Sequence, residues 1–478
     1  MKSATRFLGL ALLVLAFGAI IRPGQGNAQG VKITAGQAGV NPGAGLFTIA
    51  EKEKLYAKNG LDVSIVKTNT AAAVQAMLGG SMQIATGSGA AAFVTATIEG
   101  APPFVLVGSC VNVFPYKIMV RADIKTVADL KGKTGHVGVN RNINYTNICY
   151  YRCKFCAFSK GKTHEALRGT PYDLALDEVV RRSQEAWDRG ATEVCLQGGI
   201  HPDYTGATYL GICRAIKQAL PDMHVHAFSP LEVTQGAATL GLSLHDFLAQ
   251  LKEAGLGTLP GTAAEILDDE VRAIICPDKV NTRQWLDVVS TAHRLGLRTT
   301  STIMYGHVER PVSWARHLLV LRDLQAETGG ITEFVPLPFV HMEAPMYLRG
   351  QARKGPTLRE AVLMHAVARL ALHPLITNIQ TSWVKMGPEG AALCLNSGAN
   401  DLGGTLMNES ISRAAGTQHG QEFPPEAMED LIRSIGRVPV QRDTLYRVAS
   451  QERRVVSFNA PELAPVVQTP PRKVMAAE

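Results

Sequence analysis

Between residues 137 and 340, short strand-like segments alternate with amphipathic helical ones, and that alternation leaves few folds open. TEVCLQGGI, MHVHAFSP, TLPGTAAEIL, RTTSTIMYGHV and TEFVPLPFV read as strands, and another precedes Cys149. LHDFLAQLKEAGL and TRQWLDVVSTAHRLGL read as helices between them. In the second, Thr282 reads as the cap, Trp285, Val288, Val289, Ala292 and Leu295 share a face, and Gly296 is the stop. Thr170-Pro171 with Asp173 predicts a further helix start, with Leu174, Val180 and Trp187 on its apolar face and Gly190 at its end. Strands joined through helices lie parallel, because each crossover returns the chain to the same edge of the sheet. Six such units predict an α/β chain with a partial (β/α)6 barrel and C-terminal extension over residues 137–450, its chemistry at the C-terminal strand ends.

At 478 residues the chain exceeds one ordinary core. The net charge of +7 is modest, and no Lys/Arg run is interleaved with aromatics, so no nucleic-acid surface is predicted. Residues 451–478 are proline-spaced and read as a disordered tail.

Three of the eight cysteines fall in CYYRCKFC, as Cys149, Cys153 and Cys156. Cys110, Cys195, Cys213, Cys276 and Cys394 are scattered singly and read as small buried residues, not as a disulfide framework. A structural zinc site wants four protein ligands, and no fourth is near. A 4Fe–4S cluster held by three thiolates instead leaves one iron open to a small molecule. C-x3-C-x2-C with the aromatic Phe155 before its last cysteine resembles the radical S-adenosylmethionine (SAM) signature, the structural zinc site being the alternative. That resemblance implies a 4Fe–4S cluster and SAM, whose amino and carboxylate groups chelate the fourth iron.

NRNINYTNICYYRCKFCAFSKGK, GTAAEIL, IICPDK, TSWVKMG, GANDLGGTLMNESISRAAG and GQEFPPEAME, within residues 140–446, resemble the family of the tyrosine-using half of FO synthase. That family is the 5-amino-6-(D-ribitylamino)uracil–L-tyrosine 4-hydroxyphenyl transferases. The resemblance implies that a 5′-deoxyadenosyl radical takes a hydrogen from the amine of L-tyrosine. Cleavage at Cα–Cβ then leaves 2-iminoacetate and a 4-hydroxybenzyl radical, which adds to C5 of the uracil, and an electron is returned. It further implies an electron donor and a partner, the ring-closing half of FO synthase, on the route to coenzyme F(420). Related radical SAM enzymes of menaquinone (futalosine) biosynthesis share the cluster motif and are one alternative; an exported solute-binding protein with a non-functional barrel is the other.

Beyond the cysteines, Gln197, Gly198 and Gly199 are candidates to lie against the methionine part of SAM, where glycine permits close approach; a plain turn is the other reading. Glu265, after the fourth strand, is a candidate for the SAM ribose or amine, or a surface residue. His224, His226 and His307 near strand ends are candidates for proton transfer or substrate contact, or structural histidines. Asn400, Asp401, Glu409 and Ser412 interrupt a Gly-rich apolar stretch and are substrate candidates, or caps and turns.

The N-terminus is of another kind. Residues 1–29 carry Lys2, Arg6, an apolar run from Phe7 to Ile21 and a small-residue zone, the anatomy of a signal peptide; an uncleaved anchor is the other reading. From residue 30 to 136 a strand at 31–35, a helix LFTIAEKEKLYAKNG, a strand through Leu61, Val63 and Ile65 and a helix AAAVQAMLGG follow. This order resembles one lobe of the periplasmic substrate-binding proteins of ABC importers, truncated before the second lobe that would complete a ligand cleft. The lobe replaces the segment that precedes NRNINYTN in the transferase family, with Val137, Val139 and the following residues expected to supply the first barrel strand. Export would part a low-potential cluster from SAM and reductant, so a working enzyme is expected in the cytoplasm, against the signal-like segment.

Overall fold

The computed structural model describes residues 31–38, 49–86, 134–159 and 170–463, with a few positions between 93 and 104. The signal-like segment and the chain beyond residue 463 lie outside the described residues. The chain forms two compact units, Met1–Met119 and Val120–Glu478. Among the described residues no helix is long and apolar enough to cross a membrane.

In the first unit β1 (Val31–Ala38), β2 (Leu61–Thr68) and β3 (Ile84–Thr86) form a parallel sheet in the order β2-β1-β3. The helix expected through Asn59 is broken: a turn at residues 49–52 stops at Lys54, whose φ is 51°, and only α1 (Leu55–Lys58) follows. Asn69 caps α2 (Thr70–Leu78) by accepting from the Ala72 amide at 2.8 Å, so this helix starts where its side-chain chemistry says it should.

The second unit opens with β4 (Thr134–Gly138) and β5 (Asn140–Ile143). Only β5 enters the barrel; β4, with Val137, belongs to a separate sheet, a correction to the expected first strand and to a lobe ending at residue 136. β6 (Glu193–Leu196), β7 (His224–Ala227), β8 (Thr258–Leu259), β9 (Arg298–Tyr305) and β10 (Ile331–Pro338) complete a six-stranded sheet, all parallel, in the order β10-β9-β8-β7-β6-β5. The connecting helices are α3 (Leu176–Asp188), α4 (Gly206–Ala219), α5 (Pro230–Leu240), α6 (Leu244–Glu253), α7 (Asp269–Ile275), α8 (Thr282–Arg294) and α9 (Pro311–Thr328). The six predicted units are therefore all present.

Two boundaries differ from expectation. Asn281, not Thr282, caps α8, in a reciprocal arrangement with Gln284. Residues 170–173 do not begin a helix: Asp173 bridges Thr146 and accepts from the Tyr204 hydroxyl, and α3 starts only at Leu176. Tertiary partners thus outbid a capping pattern that is sound locally.

The extension contributes α10 (Pro345–Leu348), α11 (Leu358–Leu372), α12 (Trp383–Leu395), β11 (Asp401–Gly404), α13 (Ile411–Ala414), α14 (Pro425–Ser434), β12 (Val438–Arg442) and α15 (Gln451–Phe458). β11 and β12 flank β4 in parallel. Isolated parallel bridges Phe334–Ile379, Gln380–Asp401 and Arg141–Met407 run from the β10 edge round to the β5 edge. The extension therefore spans the gap that six strands leave, and satisfies the edge groups of both end strands. α15 corrects the expected disorder from residue 451: Ser450 caps it, the Arg453 guanidinium sits 4.0 Å from the Trp187 ring centre, and Ser457 packs against Gly190.

Candidate active site

Strand alternation builds the interior. Asn140 and Asn142 on β5, Glu193 and Cys195 on β6, His226 on β7, Thr300, Thr302 and Met304 on β9, and Glu333, Val335 and Leu337 on β10 all line one cavity of about 390 Å³. Their spacing of two residues is the period of a strand, so one face of each of these five strands points inward. Several of the polar ones are paired, although among the described residues Asn142 Oδ1 has no hydrogen-bond partner. Asn140 donates to Glu193 at 3.0 Å, and Thr444 donates to the other Glu193 oxygen at 2.5 Å. Tyr446 donates to Glu333 at 2.6 Å, with Arg442 at 3.5 Å. Burial pushes the Glu333 carboxyl up to about 7, against the pull of Arg442.

The three-cysteine loop follows β5 and faces the same cavity. Backbone amides of Tyr150 and Lys154 donate to Ile200 and Ile275 at 3.1 and 2.9 Å, and Met346 donates back to Lys154 at 2.8 Å. Three separate elements thus fix the loop. Gly198 and Gly199 are required by this packing: a Cβ at Gly199 would meet the Ile148 carbonyl and stand 2.9 Å from Cys149 Cβ, and one at Gly198 would enter the Tyr145 ring. Their glycine identity answers to the loop, although both also line the cavity with Gln197 and Phe155.

The donor set fits an iron–sulfur cluster. Cys149, Cys153 and Cys156 are free thiols lining one wall. Three cysteines with no fourth protein ligand beside them among the described residues leave one position for a small molecule, as a cluster held by three thiolates does. Burial pushes Cys153 well above the ordinary thiol range and raises Cys156, with Lys279 opposing it at Cys153 and the Ser159 amide, 3.3 Å from Cys156 Sγ, opposing it there. Left to themselves these buried groups stay thiols; iron bound there would supply the positive charge that stabilises the thiolate form.

Glu265 lies six residues beyond β8, at φ 48°, and lines the cavity in an ion pair with Lys279 at 2.6 Å. Lys279 also lies 5.6 Å from the Phe155 ring centre. Glu409 and Ser412 line the cavity too; both Glu409 oxygens accept from the Ser412 amide, at 2.9 and 3.1 Å. Lys385 donates to the Ser412 hydroxyl at 2.9 Å. His226 reaches the cavity while its Nδ1 contacts Thr258 Oγ1 at 2.7 Å.

Other candidates lie elsewhere. His224 starts β7, at the end opposite the cysteine loop, and burial lowers it to about 4. His307 is buried against Glu309 at 3.0 Å and does not line the cavity. Asn400 accepts from Arg369 and from the Ile379 amide, at 2.7 and 2.8 Å. Asp401 is ion-paired with Arg442 at 2.6 Å. These last two tie the extension together and do not reach the cavity. Residues that the sequence reading passed over do reach it: Lys279 inside IICPDK, Lys385 inside TSWVKMG, and the strand residues Glu193 and Glu333. Glu232, also in the lining, accepts from Ser229, Gly198 and Tyr145 and holds the Gln197–Gly199 turn.

Comparison with known proteins agrees with this geometry. Residues 143–319 match the radical SAM superfamily model and residues 328–455 the CofH/MqnC C-terminal region. Residues 41–148 match an NMT1/THI5-like model, in line with the binding-protein resemblance of the first unit. Methylornithine synthase shares the fold at a TM-score of 0.50 and 16% identity, covering 66% of this chain and 87% of that one. The FeFe-hydrogenase maturase HydG from Carboxydothermus hydrogenoformans does so at 0.50 and 15%, covering 67% and 72%. FO synthase of Streptomyces coelicolor is 53% identical over 69% of this chain, which spans only 38% of that relative's length. The 5-amino-6-(D-ribitylamino)uracil–L-tyrosine 4-hydroxyphenyl transferase of Methanopyrus kandleri is 51% identical over 333 residues, 70% of this chain and 89% of that protein. With three thiols on the wall of a partial barrel's cavity and half of 333 aligned residues shared over 89% of that relative, the chain belongs to the radical SAM family of the 5-amino-6-(D-ribitylamino)uracil–L-tyrosine 4-hydroxyphenyl transferases.

Proposed function

We propose that this chain joins the 4-hydroxybenzyl group of L-tyrosine to 5-amino-6-(D-ribitylamino)uracil, releasing 2-iminoacetate, methionine and 5′-deoxyadenosine, as a step of deazaflavin (FO, coenzyme F(420)) biosynthesis. The observation that carries the reading is one cavity that joins the cysteine loop to the barrel interior, mostly apolar with a few polar side chains set in it. Cys149, Cys153 and Cys156 would hold the cluster, with SAM against it near Phe155, Gln197, Gly198, Gly199 and Glu265. Cluster and SAM when bound would supply one-electron cleavage of the sulfonium and hydrogen abstraction from substrate. The protein's own work is to orient the substrates and exclude water. The interior carboxylates and amides offer hydrogen bonds to polar substrate groups, and the extension closes the gap between β10 and β5. An electron donor and the ring-closing half of FO synthase are the partners this reading requires, and the cytoplasm, where SAM and reductant are at hand, is its compartment.

The test is anaerobic reconstitution with iron and sulfide, then SAM, dithionite, L-tyrosine and the ribitylaminouracil, read by mass spectrometry. The reading expects 5′-deoxyadenosine together with the hydroxybenzyl adduct, both lost in Cys153→Ala. The matched C-terminal region carries a CofH/MqnC description, so a related menaquinone-route reaction is the second reading. Deoxyadenosine without adduct would favour it.

A further inference from the structure

Lys385 differs from the other ammonium of the cavity. Lys279 is closed by Glu265 at 2.6 Å. Lys385 spends one donor on the Ser412 hydroxyl at 2.9 Å, and among the described residues no carboxylate stands within ion-pair distance of it. Glu409 and Glu265 act on it only from further off, and Glu409 is turned to the Ser412 amide. Burial accordingly holds the Lys385 ammonium below the ordinary lysine range, with those carboxylates opposing the shift. An ammonium has three donors and is seldom drawn away from water without an anion, and Lys385 is half-buried. Its position is also built: α12 breaks at Gly387, φ 70°, two residues after Lys385, so Lys385 lies on a short separate turn that lines the cavity.

We infer that Lys385, positioned by Ser412, binds the α-carboxylate of the amino-acid substrate beside the cysteine loop. This rests on the reading that the substrate is an amino acid. A carboxylate is the ligand that completes a half-buried, cavity-lining ammonium with free donors, through charge-assisted hydrogen bonds worth roughly ten- to hundredfold in affinity. SAM carries the same α-amino carboxylate, so the test must separate the two sources.

Equilibrium binding of L-tyrosine, tyramine (tyrosine without its carboxylate) and SAM is measured on the full-length, cluster-reconstituted chain and on Lys385→Gln and Lys385→Arg. The wild type should prefer tyrosine over tyramine. Lys385→Gln should lose tyrosine affinity ten- to hundredfold, leave tyramine and SAM unchanged and so abolish the preference, while Lys385→Arg keeps part of it. Unchanged tyramine affinity also shows that the variant is folded. A Lys385→Gln protein that keeps the wild-type preference overturns the inference. So does one that loses SAM affinity with the preference intact, since the carboxylate would then be that of SAM. Adduct formation by the wild type keeps the functional reading standing in either case. A wild type that makes no adduct and binds no tyrosine sinks both.

Discussion

Lys279 Nζ lies 2.6 Å from Glu265 Oε1 and 5.6 Å from the centre of the Phe155 ring, so one buried cation ties the loop after β8 to the cysteine loop. Both partners of the pair are largely removed from water, at 9% and 15% side-chain exposure. Breaking such a pair from one side leaves a buried charge without compensation, at a cost of about 3–5 kcal/mol. Lys279→Met should therefore lower unfolding free energy by that order and cut cluster retention, while Lys279→Arg, which keeps the charge, should lose less than half as much. Chemical denaturation of the apoprotein and iron content after reconstitution measure the two effects. A methionine variant as stable as wild type would show that Glu265 takes up a proton or water instead.

Gly199 and Gly211 make opposite predictions from the same chemistry. A methyl at Gly199 would press on the Ile148 carbonyl and on Cys149 Cβ at 2.9 Å, both part of the cysteine loop, whereas nothing lies within 4 Å of the Cβ position at Gly211 in α4. Gly199→Ala should cost about 1–3 kcal/mol and reduce iron bound per chain. Gly211→Ala should gain about 0.5–1 kcal/mol, because alanine loses less backbone entropy in a helix, with iron content unchanged. Equal iron binding by both variants would mean that the loop adapts.

What could be read ahead of the structure was the part set by local periodicity: the six strands, the helices between them and the clustered cysteines. Long-range pairing decided the rest. Asn400 and Asp401 look like exposed polar residues in a Gly-rich stretch, yet their partners, Arg369 and Arg442, stand 31 and 41 residues away. Glu193 and Glu333 sit in strands that were recognised, but which face of each strand turns inward depends on how the sheet curls and on the extension that closes it. Lys385, inside TSWVKMG, gives no signal by type, since a lysine is ordinarily a surface residue; its meaning comes from its place on the cavity wall without a carboxylate partner among the described residues.

The helix at residues 451–458 should contribute stability. It buries Ser457 against Gly190, where a Cβ would stand 2.6 Å from the Ser457 amide, and sets Arg453 on Trp187 of α3. Removing residues 451–478 would expose the Trp187 ring and this close-packed seam. A fall in Tm of roughly 1–2 °C for each kcal/mol lost is expected for a unit of this size, with Arg453→Ala reproducing part of it. A truncated chain melting with the full one would show that the helix merely rests on the surface.

Glu333 should make stability depend on pH in an unusual direction. Its carboxyl is pushed up to about 7 from the ordinary 4.5 by burial, with Asp401 and Glu193 adding negative potential and Arg442 and Tyr446 opposing it. Arg442 holds Asp401 more closely, at 2.6 Å against 3.5 Å for Glu333, so Glu333 receives only part of that cation. Between 4.5 and about 7 the folded state therefore binds the Glu333 proton while the unfolded chain has released it. More protons in the folded state means that stability falls as pH rises through this window, the reverse of an ordinary paired carboxylate. Buried histidines such as His224, lowered to about 4, work the other way, so the difference between two proteins is the cleaner readout. Wild type minus Glu333→Gln should lose on the order of 2 kcal/mol of relative stability on going from about pH 5 to about pH 8. Chemical denaturation of both proteins at the two pH values measures it. A difference that stays constant, or grows with pH, would show Glu333 ionised throughout and held by Arg442 as a full ion pair.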